Sequence, residues 1–268
     1  MDTNKNYVER EELSLQLEKL FSVGHQDAIS PKRIVLCGLS GSGKTETAVR
    51  FAERHRKDYF AVFWINAINE TRLHDDFEGI ARVLDLGHCA GSEILFSQAQ
   101  KWLKTHSRWL LIIDNLNDEK TMDLLQRKYI NAGMKGDILI TSNNNSAAAR
   151  WKPLKVSDMQ PYEAKALVRN ITGPEISEGP QISELLDDLG HLPLAVDQAA
   201  SYMFATEISA ARYRKLFAAE KCRLLHCYPS TQYNQDKRHS VMTTWEISFK
   251  RIQEDHPQGS RLFLPSIL

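Results

Sequence analysis

Eight consecutive residues, Gly38-Leu39-Ser40-Gly41-Ser42-Gly43-Lys44-Thr45, restrict what this chain of 268 residues can fold into more than any other stretch. They fit G-x-x-x-x-G-K-[ST] at every fixed position, a pattern that needs a strand before it and a helix after it. Both are legible. Arg33 to Gly38 is an apolar run that reads as a buried strand, and Thr45 to Arg56 reads as the helix that follows. Four fixed positions arise by accident in on the order of one chain in a hundred of this length, and the strand–helix context makes accident rarer still. The glycines let the backbone wrap tightly, so that successive N–H groups converge on one anion. The helix adds the positive end of its dipole. Lys44 is placed to reach the β- and γ-phosphates of a nucleotide, and Thr45 to offer its hydroxyl to Mg²⁺. The candidate phosphate-binding residues are Gly38, Ser40, Gly41, Ser42, Gly43, Lys44, Thr45 and Glu46, with ATP or ADP and Mg²⁺ as the expected ligands.

The same alternation continues along the chain. Phe60 to Ile65, Trp109 to Asp114 and Asp137 to Thr141 read as further strands, with helical patterns near 70–85 and 92–105 between the first two of them. Apolar strands separated by helices imply a parallel sheet covered on both faces, so the expected class is α/β, a three-layer αβα domain. Asp114 closes the apolar run Leu110-Leu111-Ile112-Ile113, which places a carboxylate at the end of a strand, suited to holding Mg²⁺ through water. Lys44 and Asp114 are therefore the candidate catalytic residues, and Thr45 and Asp114 the candidate metal ligands. Asn115 follows Asp114, and an amide is a poor base for activating water. Beyond about residue 158 the character changes: 161–170, 181–189, 194–204, 209–219 and 241–252 all read as helices.

Composition narrows the partners. Lys plus Arg and Asp plus Glu stand at 34 each, so no global field marks a nucleic-acid or anionic-membrane binder, although a local basic patch stays open. No run approaches the roughly 18 apolar residues of a membrane span, and the polar start lacks a signal-peptide core. A cytoplasmic location is expected. Cys37, Cys89, Cys222 and Cys227 form no CxxC pair, and Cys222 and Cys227 around His226 read as structural rather than metal-binding.

Three further segments, taken with these motifs, resemble an NB-ARC domain, the nucleotide switch of the STAND class of signalling ATPases that includes NLR-type immune receptors. Tyr7-Val8-Glu9-Arg10 is similar to the V-x-R segment that leads into such domains, which implies that Val8 and Arg10 pack by the adenine. Gly136 to Asn143 is similar to the family's sensor strand, with Asn143 where an Arg usually reads the γ-phosphate. Gly190-His191-Leu192-Pro193-Leu194-Ala195 is similar to the GLPLA motif, which implies that Pro193 closes over the adenine. Val241 to Phe249 resembles the opening of a fungal-type winged-helix subdomain. The chain ends before that subdomain's usual His, as expected of a fragment or a shortened member, and its apolar end 261–268 is expected to dock on the helices or on another copy.

The resemblance implies a nucleotide-binding domain over 1–158, a helical lid over 159–234 and the start of a winged-helix subdomain over 235–268. It implies a switch in innate-immunity or cell-death signalling, off with ADP, assembled with ATP, hydrolysing slowly. Its partners would be other copies of itself and effector or sensor modules; no membrane is expected, and the balanced charge argues against nucleic acid. Two other readings stay open: an ATPase or kinase with true turnover, and a hydrolysis-dead nucleotide-binding scaffold.

Overall fold

A computed structural model describes residues 5–21, 31–87, 91–130, 133–174 and 179–227. The expected helix over 241–252, the winged-helix portion 235–268 and Cys89 lie outside them, as do the side chains of Cys222, His226 and Cys227. The residues fall into two compact units, one drawn from 11–39 and 43–156, the other from 5–10, 40–42 and 157 onward.

The first unit is built on five parallel strands. They are β1 (Arg33–Cys37), β2 (Ala61–Asn66), β3 (Ser107–Asp114), β4 (Lys135–Ser142) and β5 (Lys152–Lys155), arranged in the order β2-β3-β4-β1-β5. Around them lie α1 (Glu11–Phe21), α2 (Lys44–Arg54), α3 (Glu70–Val83), α4 (Ser92–Thr105), α5 (Glu119–Leu124) and α6 (Ser146–Arg150). A single π turn, Leu125–Tyr129, extends α5.

The period-2 alternation of a strand sorts its side chains onto two cores. Val35, Leu111, Ile113, Ile138 and Ile140 point to one face, where Phe77 and Ile80 of α3 and Leu95 and Leu103 of α4 cover them. Their neighbours Ile34, Leu36, Leu110, Ile112 and Leu139 point to the other, where Leu13 and Leu17 of α1 and Ala48 and Phe51 of α2 cover them. Burial on both faces is why these strands read as unbroken apolar runs. The α/β class with a parallel sheet is as expected. The sheet has one strand more than the runs suggested, because β5 is a short edge strand with a single buried residue, Leu154.

The second unit is helical: α7 (Pro161–Thr172), α8 (Pro180–Asp188), α9 (Pro193–Thr206) and α10 (Ala210–Cys227). Leu167, Val168, Leu185, Leu186, Val196, Ala199, Met203 and Tyr213 form its core, with Val8 against it. Pro161, Pro180 and Pro193 each stand in the first turn of a helix, where a missing N–H costs nothing. Among the described residues no helix is long and apolar enough to cross a membrane.

Candidate nucleotide-binding site

The loop between β1 and α2 turns through two left-handed glycines, Gly41 with φ 81° and Gly43 with φ 91°. A side chain at either position would be strained, and a backbone with such turns can aim consecutive amides at one point. Gly43 caps α2 with no side-chain hydrogen bond, so the cap residue covers none of the orphan amides of the first helical turn. Lys44 folds back onto this loop, donating from Nζ to the carbonyls of Gly38 at 3.0 Å and Leu39 at 2.7 Å. Burial pushes the Lys44 ammonium below its ordinary value, and the Asp114 carboxylate opposes that shift. Burial likewise pushes the neighbouring Cys37 thiol up, against the pull of Lys44. A cation partly removed from water and already facing an acid is suited to meeting phosphate charge.

Asp114, buried at the end of β3, holds the polar side of the site together. Its Oδ1 accepts from the Thr45 hydroxyl at 2.9 Å and from the Thr141 hydroxyl at 2.5 Å. Thr141 in turn accepts the Asn115 amide N–H at 3.0 Å, and the Asn115 side-chain amide lies 3.4 Å from Asp114 Oδ2. Asn115 has φ 63°, a left-handed conformation that Asn tolerates better than most residues. An alcohol and a carboxylate within hydrogen-bond reach are the hard oxygen donors that Mg²⁺ takes, so Thr45 and Asp114 fit the metal role. When bound, the ion would neutralise phosphate charge.

Thr141 escapes sequence reasoning. It closes an apolar strand, and nothing in its spacing marks its hydroxyl as the one that meets Asp114. Asn143, expected at the nucleotide through resemblance, is exposed, and its backbone N–H donates to Asn117 Oδ1 at 2.8 Å. Next to it, Asn144 bonds the Asn117 carbonyl at 2.9 Å, and Ser142 bonds that of Leu116, so the loops after β3 and β4 are tied together. Glu46 pairs with Arg50 at 3.1 Å, one turn further along α2.

The other candidates belong to the second unit. Arg10 is buried, and its guanidinium donates to the carbonyls of Ser42 at 3.2 Å, Ser157 at 2.9 Å and Asp158 at 2.8 Å. It also lies 3.5 Å from the buried Glu163 carboxylate, which accepts the Gln160 N–H at 2.8 Å and so caps α7. Arg10, expected beside the adenine, thus clamps the loop tip, the start of the helical segment and the cap of its first helix. Val8 packs on the helical core. Pro193 opens α9, and the next residue, Leu194, donates its N–H to the Gly41 carbonyl at 3.2 Å. A Cβ on Gly41 would come within 2.9 Å of the Leu194 Cβ, so this glycine serves a close approach as well as a turn. Ser42 is buried, its hydroxyl without a hydrogen-bond partner in the structure.

Residues 30–128 match the family model described as an AAA domain. No curated protein matches the chain. Similar solved structures include the RuvB Holliday junction branch migration motor of Thermotoga maritima, at 11% identity and TM-score 0.48 over 96% of this chain and 80% of that one. Another is a STAND protein with a tetratricopeptide repeat sensor from Pyrococcus horikoshii, at 14% identity and TM-score 0.48 over 91% of this chain and 40% of that one. A third is the ORC2 protein of Aeropyrum pernix in ADPNP–ADP complexes, at 14% identity and TM-score 0.48 over 91% of this chain and 70% of that one.

Proposed function

We propose that this chain, whose residues 30–128 match the AAA domain model, works as an ATP/ADP-binding switch of the STAND signalling type with slow hydrolysis. The observation that carries the reading is the position after the acid. Asn115, turned by its positive φ onto Thr141 and beside Asp114, supplies an amide where a carboxylate would activate water. General-base help is typically worth about 10²–10⁴-fold in rate. A site that cradles phosphate and lacks that help is suited to holding nucleotide rather than turning it over.

In this reading Lys44 binds the β- and γ-phosphates, Thr45 and Asp114 hold Mg²⁺, and Gly38 to Glu46 wrap the phosphate chain. Val8, Arg10 and Pro193 act on the adenine side, and Asn143 faces the γ-phosphate. Domain limits of 1–158, 159–234 and 235–268 go with it, as do a cytoplasmic setting and assembly with further copies on activation. Arg10 supports a coupling role within this scheme, since one buried guanidinium bonds the loop tip at Ser42 and the helical segment at Ser157 and Asp158.

Two measurements on the purified chain test the reading: mass spectrometry of the nucleotide released on denaturation, and steady-state ATP turnover. Bound ADP with turnover well below a typical kcat of about 10 per second is the expected result. Turnover at or above that rate, lost in Lys44→Ala, would replace the switch with a motor or kinase. Bound nucleotide with no turnover at all would leave a scaffold.

A further inference from the structure

All five strands are parallel, so all five begin at the same end of the sheet, away from the loop that follows β1. That end carries a row of rings. Phe60, just before β2, is 72% exposed. Its ring lies 6.4 Å from that of Trp102 at an interplanar angle of 31°, and Trp102 stacks on His106 at 4.4 Å and 11°. The row is held from beneath. Phe63 meets Trp102 edge-on at 5.5 Å, and His106 Nδ1 sits 3.1 Å from the Trp102 carbonyl. The indole N–H of buried Trp109 donates to the carbonyls of Leu103 and His106, at 3.1 and 3.0 Å, fixing the turn that presents the His106 ring.

Cations flank the rings. Lys57, Lys101 and Arg108 are exposed on the same three segments, and Lys135 starts β4, two strands or about 10 Å from the first ring. Two carboxylates lie among them, each already engaged: Asp58 by His55 at 2.8 Å, and Asp137 by the Lys32 N–H at 2.8 Å and the Tyr59 hydroxyl at 2.9 Å, while the Arg108 guanidinium donates to the Asp58 carbonyl at 3.2 Å. Arg108 has φ 59° at a register shift between β3 and β4, an unfavourable backbone for a bulky residue. Such bulges re-aim side chains and collect where something binds.

We propose that this strand-start rim binds single-stranded nucleic acid, its bases stacking on Phe60 and His106 and its phosphates met by Lys57, Lys101 and Arg108. Rings at shallow mutual angles offer faces to planar bases, and a polyanion without rings gains no stacking from them. Base–aromatic stacking beside a basic track is how sequence-tolerant single-strand binders work. Balanced overall charge is no obstacle, because the field that matters is local. The inference is independent of what the loop after β1 binds.

The test is fluorescence anisotropy of the full chain with a labelled oligothymidylate of about 20 nucleotides, longer than a single module's site. A duplex of the same length and polyglutamate serve as competitors, and far-ultraviolet circular dichroism reports on the fold of each variant. Expected are tighter binding to the single strand than to the duplex, and affinity falling as salt rises from about 50 to 200 mM. Phe60→Ala should weaken binding about tenfold, as loss of one stacked base implies, and Phe60→Trp should preserve it. His106→Ala, at an exposed position, is the second variant should Phe60→Ala fail to fold. Lys57→Glu with Lys101→Glu should flatten the salt dependence. No binding at low salt, equal displacement by polyglutamate, or unchanged affinity in the ring variants would each overturn the proposal.

Discussion

Asp114 is reached by two hydroxyls from different elements, Thr45 from α2 and Thr141 from β4. Removing either leaves a buried carboxylate short of a donor, at a cost of roughly 1–3 kcal/mol. Thr141→Val also strips the acceptor from the Asn115 N–H. The variant should unfold at lower urea concentration. Its ADP affinity without Mg²⁺ should stay within about threefold of the parent, while the increment from Mg²⁺ falls about tenfold, as loss of one charge-assisted bond implies. Equal losses with and without Mg²⁺ in a titration of labelled ADP would argue that Thr141 serves only the fold. Lys44→Ala is the contrasting case, because its Nζ contacts only carbonyls of its own loop among the bonds described. It should therefore fold well yet lose most nucleotide affinity, tenfold or more, with the charged bond to phosphate. Unchanged affinity in a folded variant would remove the phosphate assignment.

At the scale of elements, β4 depends on one missing side chain. A Cβ at Gly136 would lie 2.1 Å from Trp109 Cδ2 and 2.4 Å from the Trp109 carbonyl oxygen. A backbone atom on the neighbouring strand cannot swing away, so Gly136→Ala should cost about 3 kcal/mol or more, at or beyond the top of the usual overpacking range. Urea denaturation followed by circular dichroism would show it, and a loss below about 1 kcal/mol would mean that the sheet gives. The sequence reveals β1, β3 and β4 because burial on both faces demands unbroken apolar runs, and β2 because its own run buries Phe63 and Ile65 on one face and half-buries Val62 and Trp64 on the other. It hides β5, where Lys152, Pro153 and Lys155 surround a single Leu154 in the manner of a protected edge. It hides the π turn at Leu125–Tyr129 too, since the helix it extends has only six residues, too few for a shift in apolar spacing to be read. Of the site, the loop from Gly38 to Thr45 and Asp114 stand out because their chemistry fixes both type and spacing. Arg10 is visible only by resemblance, and its carbonyl partners at Ser42, Ser157 and Asp158 are contacts that no spacing records.

For the whole molecule, Asp137 is one of the described residues that make stability depend on pH. Its carboxylate accepts the Lys32 N–H at 2.8 Å and the Tyr59 hydroxyl at 2.9 Å, stitching the approaches to β1 and β2 onto β4. Burial raises its pKa, with those two bonds opposing the shift. A carboxyl raised above its unfolded value near 3.9 binds its proton more tightly when folded. Its contribution is therefore full below about 3.9 and is lost as pH rises through the folded value. Asp137→Asn keeps the shape without the charge, so the variant should be the more stable near neutrality. That advantage should shrink as pH is lowered, and a difference constant between about pH 3 and 7, across the window fixed by the unfolded value, would exclude the burial cost. The strand order β2-β3-β4-β1-β5 has a consequence in time. Both neighbours of β1 lie roughly a hundred residues further along the chain, and synthesis runs at about 5–20 residues per second. On the ribosome β1 waits about 5–20 s for its first partner, and until then no sheet exists to bury Cys37 or to hold the glycine loop that follows it. Any site built on that loop must therefore wait for β4.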